Sequence, residues 1–189
     1  MNTKIRCAWV TSDPLYIDYH DQEWGVPIYD ERLLFEFLIL EGMQAGLSWL
    51  TILKKRENYR LALDGFDPNM IADYKEPKLQ ALMLNPGIIR NKLKIQSIVT
   101  NAQAFLQLKN EGIHFSEYLW QFVGGKPIQN QIAKRSFPPS FSPLSEALSK
   151  DLKKRGFKFV GSTICYAFMQ AVGMVNDHCV DCFKYPQGY

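Results

Sequence analysis

Cys7 and His20 stand near one end of the 189-residue chain, and His178, Cys179 and Cys182 crowd the other. Thiolate and imidazole are zinc's usual ligands, and zinc takes four in a tetrahedron. The N-terminal pair offers two. The tail offers two more, either His178 with Cys182 or Cys179 with Cys182, and spacing leaves both open. An ion bound to both ends closes a very long loop, so its binding energy becomes folding energy. With four protein ligands it is structural and activates no water. Cys165 lies in an apolar helical pattern and reads as core, while His114 stands alone near a turn and reads as solvated.

The second chemical signal is a carboxylate in an apolar setting. Between Leu33 and Leu53 the only charges are Glu36 and Glu41. Five helical steps, at about 100° each, set them far apart around the axis. Glu41 falls on the stripe Leu34, Phe37, Leu38, Ala45, where a carboxyl must be neutral, paired or functional. Trp9, Tyr16, Tyr19, Trp24 and Trp49 lie around it in sequence. Such density is ordinary in a core. Beside a carboxylate it also suits a flat, electron-poor or cationic ring, held by stacking and cation–π attraction while the acid accepts its N–H groups. Gly42 and Gly46 would allow close approach of backbone and ligand.

Helical periodicity dominates the elements that must position these groups. Asp30 caps a helix running toward Glu41, Leu47 to Leu63 reads as another, and Asp67-Pro68 opens a further one. Pro77 to Leu84 and Lys92 to Leu108 form a helical pair around a Pro-Gly turn. Glu117 to Phe122 is short and helical. Gly124 to Pro143 reads as an irregular connector over the surface, followed by helices from Ser145 and across Phe159 to Val172. No strand pattern of convincing length occurs, so the expected class is all-α.

The turn at Asn85-Pro86-Gly87 opens a helix, where free backbone N–H groups hold a phosphate well, and Arg90, Lys92 and Lys94 add charge beside it. Lys54-Lys55-Arg56 and Lys153-Lys154-Arg155 with Lys158 suit phosphate contacts, but singly each reads better as a solvated helix end. The net charge of +3, from 22 basic and 19 acidic residues, does not by itself mark a nucleic-acid binder. Composition is that of a globular protein, 47% hydrophobic and 22% charged. No signal peptide or membrane span is visible, so a cytoplasmic monomer that makes no membrane contact is the expectation. A zinc-stabilised damage-sensing module and a zinc hydrolase are the competing function classes. Glu41 with its aromatics argues against the first, a closed four-ligand site against the second.

Longer strings carry a resemblance. Asp13-Pro14-Leu15-Tyr16, Tyr19-His20-Asp21, Glu23-Trp24-Gly25-Val26-Pro27, Leu40-Glu41-Gly42 and Gln44-Ala45-Gly46-Leu47-Ser48-Trp49 are among them. With Lys54 to Tyr59, Gly87-Ile88-Ile89-Arg90, Lys153 to Gly161, Ile164-Cys165-Tyr166, Phe168-Met169-Gln170 and Asn176-Asp177-His178, they cover nearly the whole chain. The chain resembles the 3-methyladenine DNA glycosylase I family, zinc-containing members of the helix-hairpin-helix glycosylases. The resemblance implies one helical unit over 1–189, with the helix-hairpin-helix region at about 77–108 and segments 1–25 and 145–189 joined by zinc. It implies Cys7, His20, His178 and Cys182 as ligands, leaving Cys179 free. It implies a base pocket of Glu41, Tyr19 and Trp49 with Tyr16 and Trp9 close by, Glu41 being the catalytic candidate. Leu47 would enter the gap left by a flipped base, and Gly87, Arg90 and Lys92 would contact DNA. The partners implied are double-stranded alkylated DNA and free 3-methyladenine as product. The chain departs from the family in a few extra residues before Cys7, in Ile89 where broader hairpin proteins carry a second Gly, and in the added thiol of Cys179. Many helix-hairpin-helix glycosylases carry an Asp after the hairpin, yet none occurs here between Asp73 and Asp151. No Lys is placed by motif as a nucleophile, so a monofunctional hydrolase is expected.

Overall fold

Short polar side chains start most of the helices. Asp13 accepts a first-turn backbone N–H of α1 (Pro14–Gln22), and Asp30 does the same for α2 (Glu31–Gln44). Ser48 caps α3 (Trp49–Leu53), which is followed by α4 (Arg56–Ala62), and Asp67 caps α5 (Pro68–Ala72) with Pro68 in its first turn. After α6 (Glu76–Leu84), Asn91 caps α7 (Lys92–Asn110). Beyond α8 (Phe115–Trp120), Ser142 and Ser145 form a reciprocal capping box at the start of α9 (Pro143–Lys154), and α10 (Ser162–Ala171) is the last helix. This computed structural model describes residues 4–186; the outermost residues of the expected unit and its terminal segments, 1–3 and 187–189, lie outside the described residues.

Helix α2 is the axis of the fold. Every residue from Leu34 to Met43 is buried, because α3, α7, α8 and α10 pack around it. A helix covered on all sides needs no polar face, and its two carboxylates are therefore carried into the interior. The structure is mostly helical, as expected, with one small addition. Strands β1 (Ile128–Gln129) and β2 (Val175–Asn176) pair in parallel, and Ile132 bridges to Cys179. Two-residue strands have no alternation to read in the sequence. They tie the connector to the C-terminal tail.

Two local expectations are corrected, and one helix has no counterpart in the sequence reading. The Leu47 to Leu63 helix is two helices, because the Lys55 N–H turns back to the Ile52 carbonyl before α4 restarts with Tyr59 N–H bonded to the Lys55 carbonyl. The segment Trp9 to Trp24 contains α1, whose mixture of exposed and buried positions gives little helical signature. A Cβ on Gly42 would lie 3.3 Å from the Phe159 Cβ, so this glycine serves packing between chain segments rather than ligand approach. The glycine that does permit a close approach is Gly173. Its φ is +71°, and a Cβ there would lie 2.4 Å from Val26 C and Pro27 N. That contact lays residues 25–28 along the end of α10, with Gly25 N–H bonded to the Gln170 carbonyl and Ile28 N–H to the Val172 carbonyl.

Candidate functional site

A cavity of about 260 Å³ opens beside α2, and all five residues expected to form the base pocket line it: Trp9, Tyr16, Tyr19, Glu41 and Trp49. Asp13 starts the helix that supplies Tyr16 and Tyr19, α2 supplies Glu41, and Ser48 starts the helix that opens with Trp49. The rings brace one another. Tyr19 and Trp49 have centroids 5.4 Å apart, Trp9 and Tyr16 5.0 Å, and Phe37 lies behind Trp49 at 6.4 Å, nearly parallel to it.

The two carboxylates of α2 have opposite surroundings. Glu36 is buried and fully paired, accepting from Arg56 Nε at 2.6 Å and from Arg60 Nη2 at 2.8 Å. Glu41 is buried too, but its Oε2 has no partner, and neither do the buried indole nitrogens of Trp9 and Trp49. Among the described residues these three atoms are the buried side-chain polar atoms without a hydrogen bond, and all belong to lining residues of one cavity. Each such group costs about 1–3 kcal/mol. Burial, with no cation to offset it, pushes the Glu41 carboxyl up to about 8. Burial first, and then the nearby Glu41 charge, raises the Tyr19 and Tyr16 phenols, which therefore remain neutral. The cavity thus offers two indole donors, two phenols and an acid that binds its proton at neutral pH.

His20 follows Tyr19 on α1, and Cys7, His20, His178 and Cys182 are all buried, with their ligand atoms within 4.8 Å of one another. Cys7 Sγ is 3.6 Å and Cys182 Sγ 3.5 Å from His178 Nδ1, and Cys182 Sγ is 3.4 Å from His20 Nε2. The outer ring nitrogens are held by acceptors. His20 Nδ1 donates to Asp21 Oδ1 at 2.8 Å and His178 Nε2 to the Trp24 carbonyl at 3.2 Å, so the lone pairs face the sulfurs. Arg6, and then His20, hold Asp21 down to about 2. The group can hold a metal ion. Cys179, which spacing left as an alternative, turns away and donates to the Ser136 carbonyl at 3.3 Å.

The basic residues part company. Arg90 and Lys92 are exposed, Gly87 is half-buried, and Leu47 is exposed on the turn between Glu41 and Trp49. Lys94, expected to add surface charge, is buried: its ammonium donates to the Met43 and Ala45 carbonyls, each at 2.7 Å, and secures the C-terminal end of α2. Its stem is apolar and its head finds orphan carbonyls, a solution invisible without the fold. Lys94→Met should cost about 2–3 kcal/mol, measured by denaturant unfolding; unchanged stability would contradict the anchoring role. Arg56 is also no solvated helix end, being paired with Glu36 and Glu23. Lys55 donates to the Pro86 and Gly87 carbonyls and supports the hairpin from beneath. The hairpin amides are less free than expected. Gly87 N–H is taken by Asn85 Oδ1 and Ile89 N–H by the Tyr59 hydroxyl.

The sequence pattern that defines the methyladenine glycosylase family matches residues 9–185. The chain belongs to this family. It is 55% identical over 181 residues to DNA-3-methyladenine glycosylase 1 of Escherichia coli, covering 96% of this chain and 97% of that one. A crystal structure of a 3-methyladenine DNA glycosylase I superposes with a TM-score of 0.94 at 55% identity, over 96% of this chain and all of the other. A second, on 3-methyladenine recognition by the Staphylococcus aureus protein, gives 0.93 at 40% identity over 97% and 98% of the two chains. Membership in the methyladenine glycosylase family makes the chain an enzyme of N-glycosyl bonds. Within this family's cavity the structure adds residues that sequence reasoning had not assigned: Trp24, Gln44, Gln170 and the connector residues Phe137, Pro138 and Pro139. The connector forms a wall of the cavity as well as crossing the surface. Only the Pro138-Pro139 pair, stiff and apolar, hinted at this.

Proposed function

We propose that this chain removes 3-methyladenine from double-stranded alkylated DNA as a monomeric, monofunctional glycosylase, leaving an abasic site and free 3-methyladenine. The observation that carries the reading is the convergence of unpartnered Glu41, Trp9 and Trp49 polar atoms in one aromatic cavity. Burying three unsatisfied groups destabilises the fold, and a flat base with N–H donors and ring acceptors satisfies them.

Methylation at N3 makes the adenine of DNA cationic, so its bond to the sugar is already weak. The cation binds near Glu41, whose proton leaves on pairing. Water adds to the sugar carbon, the electron pair of the carbon–nitrogen bond neutralises the base, and the added water releases its proton to solvent. Glu41 needs only to accept from the base and stabilise its charge in a pocket closed to water. Among the described residues Glu41 is the one carboxylate lining the cavity, and no lysine lines it to supply an amine nucleophile, which supports hydrolysis without strand cleavage. Trp49 stacks on the base. Trp49→Ala should weaken binding of free 3-methyladenine about tenfold or more, read by calorimetric titration; wild-type affinity would refute stacking.

The metal is zinc, held by Cys7, His20, His178 and Cys182 and joining the terminal segments. Bonds of about 2.3 Å to sulfur and about 2.0 Å to nitrogen put tetrahedral ligand atoms about 3.5 Å apart, the spacing seen between Cys182 Sγ and His178 Nδ1 at 3.5 Å. Zinc would fix the segment carrying Tyr16 and Tyr19 against the tail and take no part in hydrolysis. Helices α6 and α7 act as a helix-hairpin-helix unit that meets the DNA backbone through Gly87, Arg90 and Lys92, while Leu47 enters the stack. The setting is the cytoplasm, where four free thiols stay reduced. Incubating alkylated duplex with the protein should give strands that break only after alkali. Strands that never become alkali-labile would contradict glycosylase action, and breaks without alkali would contradict the monofunctional assignment.

A further inference from the structure

One side chain of the cavity is locked by a network outside it. Gln170, on α10, lines the cavity, and its Nε2 donates to Asp177 Oδ2 at 2.7 Å. Asp177 is buried and also accepts from the Tyr166 hydroxyl at 2.8 Å and from Asn130 Nδ2 at 2.6 Å. With three donors aimed at the Asp177 oxygens, the Gln170 amide cannot turn over without setting oxygen against oxygen. One N–H of its NH2 is committed to Asp177, and its carbonyl oxygen, which accepts no side-chain hydrogen bond among the described residues, is left as an acceptor of fixed sense.

We propose that Gln170, with its amide held in one orientation by Asp177, selects 6-amino over 6-oxo purines in this pocket. The inference deepens the reading of the cavity as a 3-methyladenine site and rests on it. The exocyclic group at the 6-position is a donor in adenine and an acceptor in guanine or hypoxanthine. A half-buried acceptor that cannot flip pairs with the first and repels the second. An unlocked glutamine would serve both by rotating, and so would give no selectivity. Gln170 is then the specificity residue and Asp177 its positioning residue. The anchors of Asp177 come from the connector (Asn130) and from α10 (Tyr166), so that network reaches the same connector whose Phe137 to Pro139 wall the cavity.

The test is binding of two free bases, 3-methyladenine and 3-methylhypoxanthine, which differ in the 6-substituent and in the ring N–H that the 6-oxo form carries, followed by quenching of the cavity tryptophans. The wild-type chain should favour 3-methyladenine at least tenfold, in line with the rejection a polar site shows toward a mismatched hydrogen-bond partner. Gln170→Leu, which keeps bulk and removes the acceptor, should shrink that ratio to about threefold or less. Asp177→Asn, which lets the Gln170 amide turn, should shrink it equally or reverse it. The ratio is insensitive to a uniform loss of folded protein, and Gln170→Leu remains informative if Asp177→Asn, next to His178, fails to fold. A Gln170→Leu ratio equal to wild type, or a folded Asp177→Asn protein with wild-type ratio, overturns the proposal. A wild-type chain that binds neither base overturns the reading of the pocket itself, which separates the two failures.

Discussion

Glu41→Gln should lower release of 3-methyladenine about 10- to 100-fold while removing a pH-dependent instability of the fold. The first effect follows from the loss of a charged acceptor: hydrogen bonds to charged groups contribute about 1.5–3 kcal/mol, and each 1.4 kcal/mol is tenfold in rate. The second follows from linkage. Burial raises the Glu41 carboxyl from 4.5 to about 8 in the folded chain. Between those values the folded state keeps a proton that the unfolded state has lost. The stability associated with that proton is therefore fully present below about pH 4.5 and is lost progressively as pH rises through about 8. Glutamine has no such proton. The stability of Glu41→Gln relative to wild type should climb by up to about 3–5 kcal/mol across this window, measured by urea unfolding at several pH values. A parallel pair of pH profiles would show that Glu41 is solvated or paired, and wild-type release by the variant would remove it from the mechanism.

Loss of the metal should be the larger blow to stability. Cys182→Ser removes a ligand shared by both histidines and leaves three buried polar groups without their partner. Structural zinc contributes about 10–16 kcal/mol in small domains that fold only with it, and a helical core of this size will not depend on it as completely. A loss of about 4 kcal/mol or more is expected, lowering Tm by about 8–16 °C at the usual 2–4 °C per kcal/mol for a chain this long. The wild-type protein should contain one zinc per chain by elemental analysis, and the variant should retain less. Replacing zinc by cobalt should leave the rate of base release within about twofold, because a closed tetrahedral site polarises no substrate. A Cys182→Ser protein with unchanged Tm would contradict the structural assignment, and a rate that follows metal identity would contradict the division of labour between metal and pocket.

The sequence made these two centres legible for different reasons. Glu41 was exposed by its position on an apolar stripe, since charge on such a stripe demands an explanation wherever the chain folds. The Cys and His group was legible from residue chemistry, which left His178 and Cys179 as alternatives; the resemblance chose His178, and in the fold Cys179 turns to Ser136. Capping residues gave helix starts at Asp30 and Asp67 because the cap is a local bond between neighbours. Lys94, Arg56 and Gln170 were hidden because their partners lie 51, 20 and 7 residues away, on other elements for the first two and in the tail for the third. Charge in sequence suggested solvent for Lys94 and Arg56, and only the packed structure shows carbonyls and carboxylates waiting for them. The connector was read as surface because proline and glycine mark irregular chain. Its role as a cavity wall follows from its parallel pairing with the tail, a contact with no local signature.

If the aromatic cavity around Glu41 excises one kind of damaged base, the bases released from alkylated DNA will show it. Duplex DNA methylated by a simple alkylating agent, incubated with the protein and resolved by chromatography of the released bases, tests it most directly. Free 3-methyladenine should be the dominant product, with 7-methylguanine left in the DNA and release reduced in the Glu41→Gln protein. Release of 7-methylguanine as readily as 3-methyladenine, or no release of 3-methyladenine by a folded, metal-loaded protein, would contradict it.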